Sequence, residues 1–247
     1  MGGQNGGNWL SLNDVWSSPN GVNWTIQTAN APWTKRLDFA STVLNNKIWI
    51  TGGVINALFG PCQAGSNDVW SSSNGINWAQ ATSSAPWSKR WGHELVALRT
   101  KLFVIGGLAC SSGGNDVWSS QDGATWMQET ANAPWSSRYR HAAAVFQGKI
   151  WVLGGNATAG GLKNDVWSSP NGISWTQVTA NAPWAPRAEL KVVVFNNKLW
   201  VIGGTNYGTV FNDIWSSPDG VNWTQVSPSA TPSPWQGHTS FAAVVAP

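Results

Sequence analysis

Three observations predict an all-β fold in which one four-stranded antiparallel unit recurs five times. The tetrapeptide Asn-Asp-Val/Ile-Trp starts at Asn13, Asn67, Asn115, Asn164 and Asn212, at steps of 54, 48, 49 and 48 residues. A Gly-Gly pair keeps the same phase at Gly52-Gly53, Gly106-Gly107, Gly154-Gly155 and Gly203-Gly204, with a further pair at Gly2-Gly3. No segment shows a helical period, and the many Gly and Asn oppose one. Self-similarity at a fixed period of this length is the mark of a repeat architecture.

Within each unit the elements follow in order. Strand a comes after an Arg (Arg36, Arg90, Arg138, Arg187) and is small and apolar, as in His141-Ala-Ala-Ala-Val-Phe146. A short turn leads to strand b, for example Lys47-Ile-Trp-Ile50, which is apolar on both faces and so reads as buried. Strand c is Asn-Asp-Val-Trp-Ser-Ser. The pairs Asn20-Gly21, Asn74-Gly75, Asp122-Gly123, Asn171-Gly172 and Asp219-Gly220 then predict tight hairpins, since both residue types tolerate positive φ. Strand d follows as Trp-Thr-Gln-Val or a variant. One four-stranded unit cannot cover both its faces, whereas radial stacking can, which predicts a five-bladed β-propeller forming a single domain over 1–247. Four blades span about 36–85, 90–133, 138–182 and 187–230. The closing blade combines 1–35 with 237–247, its strand a running from His238 to Val245, and lacks its second strand. An open slot of that kind leaves strand edges unpaired, which leaves three readings open: a piece of a longer array, a blade completed by another chain, or a three-stranded last blade that tolerates the gap.

The run Leu199-Trp-Val-Ile-Gly-Gly204, the later Trp223 and the Arg that opens each unit resemble the Kelch repeat, in a Trp-rich form similar to bacterial members. The resemblance covers essentially the whole chain. Where Kelch units usually carry Tyr before the c–d turn, this chain has Ser18, Ser72, Ser120, Ser169 and Ser217, so Ser217-Pro-Asp-Gly-Val-Asn-Trp223 also resembles a shortened Asp-box hairpin. The resemblance implies a binding scaffold rather than a catalyst. It also implies that the residue two after the Arg faces a ligand pocket.

Composition narrows the partners. Charged residues are 10% of the chain and the formal net charge is +3, with Lys and Arg spread evenly, so no basic stripe points to nucleic acid. No apolar run reaches the roughly 18 residues of a membrane helix. Met1 is followed at once by Gly and polar residues, without the pattern of a signal peptide. Cys62 and Cys110 stand in equivalent b–c loops, and the spacing leaves two readings open: a disulfide, which suits an extracellular or bacterial cell-surface setting, or two loop thiols.

Five copies allow an internal comparison, in which template residues serve the fold and exceptions are available to a ligand. Most of the 20 Trp are template and are expected between blades. The set after Pro (Trp33, Trp87, Trp135, Trp184, Trp235) lies in the d–a loops, on the face where ligands bind, and is kept as a binding candidate. Asp38 and Glu189 stand two after the template Arg, Glu94 four after it, and the bases Arg140 and Lys191 at two and four. Strand alternation would aim all five at one side, around a central channel. Trp91 and Tyr139, one after the Arg, form a variable rim. His93 and His141 fall at the opposite parity, which argues against a metal site. A Glu94 pair with Asp38 or Glu189 is the remaining enzyme reading, as for a glycosidase, while Tyr139 and Tyr207 are too few for sialidase chemistry. The expectation is a non-catalytic scaffold without a cofactor, binding a protein segment or glycan across the d–a and b–c loops. The alternative is a structural unit that self-assembles through its incomplete blade.

Overall fold

A computed structural model describes residues 1–4, 11–55, 65–109 and 112–227. They are all-β, with no helix among them. The repeat appears as successive four-stranded antiparallel sheets in the order a-b-c-d. The first comprises Ala40–Leu44, Lys47–Thr51, Val69–Ser72 and Ala79–Thr82; the second, Glu94–Leu98, Lys101–Ala109, Ser112–Ser120 and Met127–Thr130. The third comprises Ala142–Phe146, Lys149–Leu153, Val166–Ser169 and Thr176–Thr179, and the fourth Lys191–Phe195, Lys198–Ile202, Ile214–Ser217 and Thr224–Ser227. Near the N-terminus, Val15–Ser17 and Thr25–Thr28 pair as strands c and d, the only strands of that sheet among the described residues. The expected closing strand a (238–245) lies outside the described residues.

Contacts group the chain into two compact units. The first holds 1–104 with 108–112 and 118–127; the second holds 105–107 and 113–117 with 128–247. In the first unit, Ala40, Leu44, Trp49, Val69, Leu102 and Val104 make one core cluster, and Val15, Trp33 and Ile50 another. In the second, Ala142, Phe146, Leu153, Val166, Leu199 and Val201 pack together with Trp151 and Trp184. In the third sheet strand b is buried on both faces as its sequence predicts: Ile150, Trp151, Val152 and Leu153 are all at most 3% exposed.

The c–d hairpins differ from the expectation in an instructive way. Gly75, Gly123, Gly172 and Gly220 adopt φ of 72–78°, while the Asn or Asp before each keeps negative φ. The acidic or amide side chain works as an acceptor instead. Asn74 Oδ1 takes the N–H groups of Ile76 and Asn77 at 3.0 and 2.9 Å, and Ser72 Oγ takes that of Gly75 at 2.8 Å. Trp78 Nε1 closes the turn by donating to the Gly75 carbonyl at 3.2 Å. The same bonds recur at Asp122, Asn171 and Asp219. Ser in place of Tyr is therefore part of a hairpin held by its own side chains. The c–d pairs of the N-terminal hairpin and of the first, third and fourth sheets also carry a bulge at the template Trp, as between Val69 and Trp70.

Candidate functional site

The segments that carry the exceptional residues are held by the template. Arg36, fully buried, pairs bidentately with Asp68 at 2.7 Å on both arms and donates to the Gly52 carbonyl at 2.8 Å. Arg138 does the same with Asp165 and Gly154, and Arg187 with Asp213 and Gly203. Strand-c Trp70, Trp167 and Trp215 donate their indole N–H to the same carboxylates at 2.7–2.8 Å. Burial alone would raise these carboxyls. The hydrogen bonds and charge of the Arg, added to those of the Trp, outweigh it and hold Asp68, Asp165 and Asp213 below the ordinary value.

The Gly-Gly pairs exist to admit this arrangement. Gly52 and Gly53 have φ of 57° and 96°, and a Cβ on Gly52 would stand 2.9 Å from the Arg90 carbonyl oxygen. Gly2 and Gly3 repeat the backbone bonds of the later pairs, donating to the carbonyls of Asp14 and Arg36.

The Pro-Trp set has to be corrected as a binding candidate. Trp33, Trp87, Trp135 and Trp184 are 1–2% exposed and offer no ring face to a ligand. Each meets the strand-d Trp of the next sheet edge-on (Trp78, Trp126, Trp175, Trp223). Trp33, Trp135 and Trp184 also stand beside the template Arg. The template Asn explains the geometry: Asn67 Nδ2 donates to the carbonyls of Ala85 and Trp87, folding the Ala-Pro-Trp loop inward, and Asn13, Asn115 and Asn164 repeat this. Trp235, Cys62 and Cys110 lie outside the described residues.

The parity argument for the position two after the Arg also fails, for a backbone reason. In every sheet strand a begins only at the fourth residue, at Ala40, Glu94, Ala142 and Lys191. The second residue is a left-handed kink: φ is 52° at Asp38, 60° at Gly92, 51° at Arg140 and 57° at Glu189. The kinks are bonded to one another, Gly92 N–H to the Asp38 carbonyl at 2.9 Å and Glu189 N–H to that of Arg140 at 2.8 Å. A non-glycine residue in this region is strained by roughly 1–2 kcal/mol. Three of the four copies accept that strain to place a charged side chain.

In the second unit these side chains converge. Arg140 Nη1 and Glu189 Oε1 are 2.5 Å apart, with side chains 28% and 11% exposed. Beside them, Asn156 Nδ2 donates to the hydroxyls of both Tyr139 (2.8 Å) and Tyr207 (3.1 Å). Tyr207 is exposed and itself left-handed, at φ 66°. Its loop is stiff: Asn206 Oδ1 accepts from Gly208 and Thr209 N–H, and Thr205 Oγ1 accepts from Tyr207 N–H. Burial and the neighbouring Tyr139 push the Tyr207 phenol up, partly offset by Arg140, so it stays a neutral donor.

Of the other sequence-derived candidates, Asp38 and Glu94 are half-buried in the first unit, and Lys191 is half-buried at the start of its strand. Trp91 pairs through its backbone with Leu108, as Tyr139 does with Asn156. His93 and His141 point inward at 3% and 2% exposure, and His93 Nε2 lies 2.8 Å from Thr51 Oγ1. Among the described residues no cluster of three metal-ligating side chains exists. Asn156 and Tyr207 escaped the sequence reading as site residues. Asn156 was discernible, because it follows a Gly-Gly pair where the sister units have Val54, Leu108 and Thr205.

Comparison with known proteins adds two findings. A family model described as the KLHDC2/KLHL20/DRC7 Kelch-repeats domain matches residues 77–245. Kelch-like protein 35 of Mus musculus is 37% identical over 90 residues, which are 36% of this chain and 14% of that protein. The chain thus spans a minor part of the curated relative it matches.

Proposed function

Because the chain belongs to the Kelch-repeat family, we propose that it is a non-catalytic recognition scaffold that binds a protein segment on the face formed by its d–a and b–c loops. The observation that carries this reading is the use of charged residues on strained left-handed backbone at Asp38, Arg140 and Glu189, where Gly92 shows the unstrained solution. Backbone strain clusters at ligand-binding positions, and here it places charged side chains next to Tyr139, Asn156 and the exposed Tyr207. Asn156 and the stiff loop of Tyr207 support the same surface, as rigid aromatic and polar groups lose little entropy on binding. Glu94, Trp91 and Lys191 extend it in the reading of the sequence. In this proposal the repeats close into a five-bladed propeller whose last blade draws on both termini.

The test is a partner captured from source-organism lysate by the wild-type chain and then titrated against variants. Arg140→Ala and Tyr207→Ala should each weaken it by about 1–2 kcal/mol, roughly five- to thirtyfold. Equal affinity in both variants discards the surface.

A second reading, assembly with other chains, is favoured by one observation. The N-terminal hairpin exposes Trp16 (44%), Val22 (79%), Trp24 (59%) and Ile26 (44%), whereas Trp70 and Trp78, the counterparts of its two Trp, are half-buried. Light scattering should then give a mass above 26.5 kDa that falls to the monomer value in Trp24→Ser. A wild type that is monomeric at all concentrations ends this reading.

A further inference from the structure

The c–d hairpin of the second sheet lines a cavity of about 440 Å³, whose walls include Lys101, Gln121, Asp122, Thr125, Trp126 and Met127. By antiparallel topology it lies at the opposite end of the sheet from the d–a and b–c loops. Its volume is within the range of small-ligand sites, roughly 300–1,000 Å³. The internal comparison gives it meaning. Among the residues of this hairpin that break the template are Gln121 where other units have Pro19, Ser73, Pro170 and Pro218; Ala124 where they have Val22, Ile76, Ile173 and Val221; and Met127 where they have Thr25, Ala79, Thr176 and Thr224. Gln121 and Met127 line the cavity, and Ala124 removes an aliphatic side chain from the hairpin that borders it. The fold needs none of the three, since every sister hairpin forms without them.

We propose that this cavity is a second binding site, for the pyranose ring of a neutral carbohydrate. Trp126 supplies an aromatic wall whose orientation is fixed by its N–H bond to the Gly123 carbonyl at 2.9 Å. Met127, 59% exposed, supplies adaptable apolar contact. Around them stand an amide (Gln121), a carboxylate (Asp122), an ammonium (Lys101) and the Thr125 hydroxyl, donors and acceptors in the mixture that vicinal hydroxyls require. Asp122 is fixed by accepting from the N–H groups of Ala124 and Thr125 at 2.9 and 2.8 Å. One cation and one anion leave the lining without net charge, which suits a neutral sugar over an anionic one.

The site is independent of the loop-face proposal, and its test keeps the two apart. Short neutral gluco-, manno- and galacto-oligosaccharides are titrated into the full chain and followed by Trp fluorescence and calorimetry. The decisive variant restores the template, Gln121→Pro with Met127→Thr, and should keep the wild-type unfolding transition because sister hairpins carry these residues. At least one sugar is expected to bind the wild type and Arg140→Ala alike, and to bind the restored variant about tenfold or more weakly. No binding by any of the sugars, or equal binding by the restored variant, overturns the proposal.

Discussion

Asp165→Ala is expected to lower the unfolding free energy by about 3–5 kcal/mol, the cost of stripping one partner from a buried ion pair. Arg138 is fully buried, and Asp165 takes both arms of its guanidinium at 2.6 and 2.8 Å. Without the carboxylate the cation is stranded, and the Trp167 indole N–H loses its acceptor as well. Urea unfolding followed by Trp fluorescence measures the loss. Arg138→Met combined with Asp165→Leu should recover most of it, because an apolar pair leaves no charge unmatched. A loss under about 1 kcal/mol in the single variant would show that the pair is not a buried anchor. The same carboxylates set the acid limit. Asp68, Asp165 and Asp213 are depressed in the folded state, so their contribution is complete above the unfolded value near 4 and is lost as pH falls through the folded one. Stability should therefore decline below about pH 4, and Asp165→Ala should flatten that decline.

What the sequence made legible, and what it hid, follows from the range of the interactions involved. Strand b could be read because Lys149-Ile-Trp-Val-Leu153 is apolar at successive positions, and only burial on both faces explains that. The hairpins could be located from Asn-Gly and Asp-Gly, but the division of labour could not. A φ sign and a side-chain acceptor are alternative uses of the same Asn, and only geometry separates them. The buried Trp33, Trp87, Trp135 and Trp184 were misjudged because loop position suggests exposure. Their inward fold depends on Asn67 and its copies, which bond carbonyls 18 and 20 residues away. The kink at Asp38, Arg140 and Glu189 was hidden for a related reason. Strand alternation presumes extended backbone, and left-handed φ at a charged residue has no sequence mark except the single Gly92. That glycine was visible but stood alone. The pairing of Arg140 with Glu189 and the sharing of Asn156 by two Tyr join residues 49 and 51 apart, beyond any local pattern.

Gly123→Ala should cost about 3 kcal/mol, and Gly75→Ala about 1, although the two glycines hold the same turn position. Their φ values are 73° and 72°, so backbone strain is common to both and supplies the smaller figure. The difference lies in what each faces. A Cβ on Gly123 would stand 2.1 Å from Trp49 Cζ3, and Trp49 is 6% exposed, with its indole N–H bonded to the Leu44 carbonyl at 3.2 Å, so the ring has little room to yield. A Cβ on Gly75 would meet Val15 Cγ1 at 3.6 Å, an ordinary contact. The asymmetry follows from the repeat itself. The second hairpin packs on Trp49 of the sheet before it and the fourth on Trp151 of the third, and among the described residues the N-terminal half-unit has strands c and d but no strand b. Paired urea midpoints measure the contrast. Equal losses in the two variants would mean that strain alone, and not the packing of Trp49, fixes glycine at this turn.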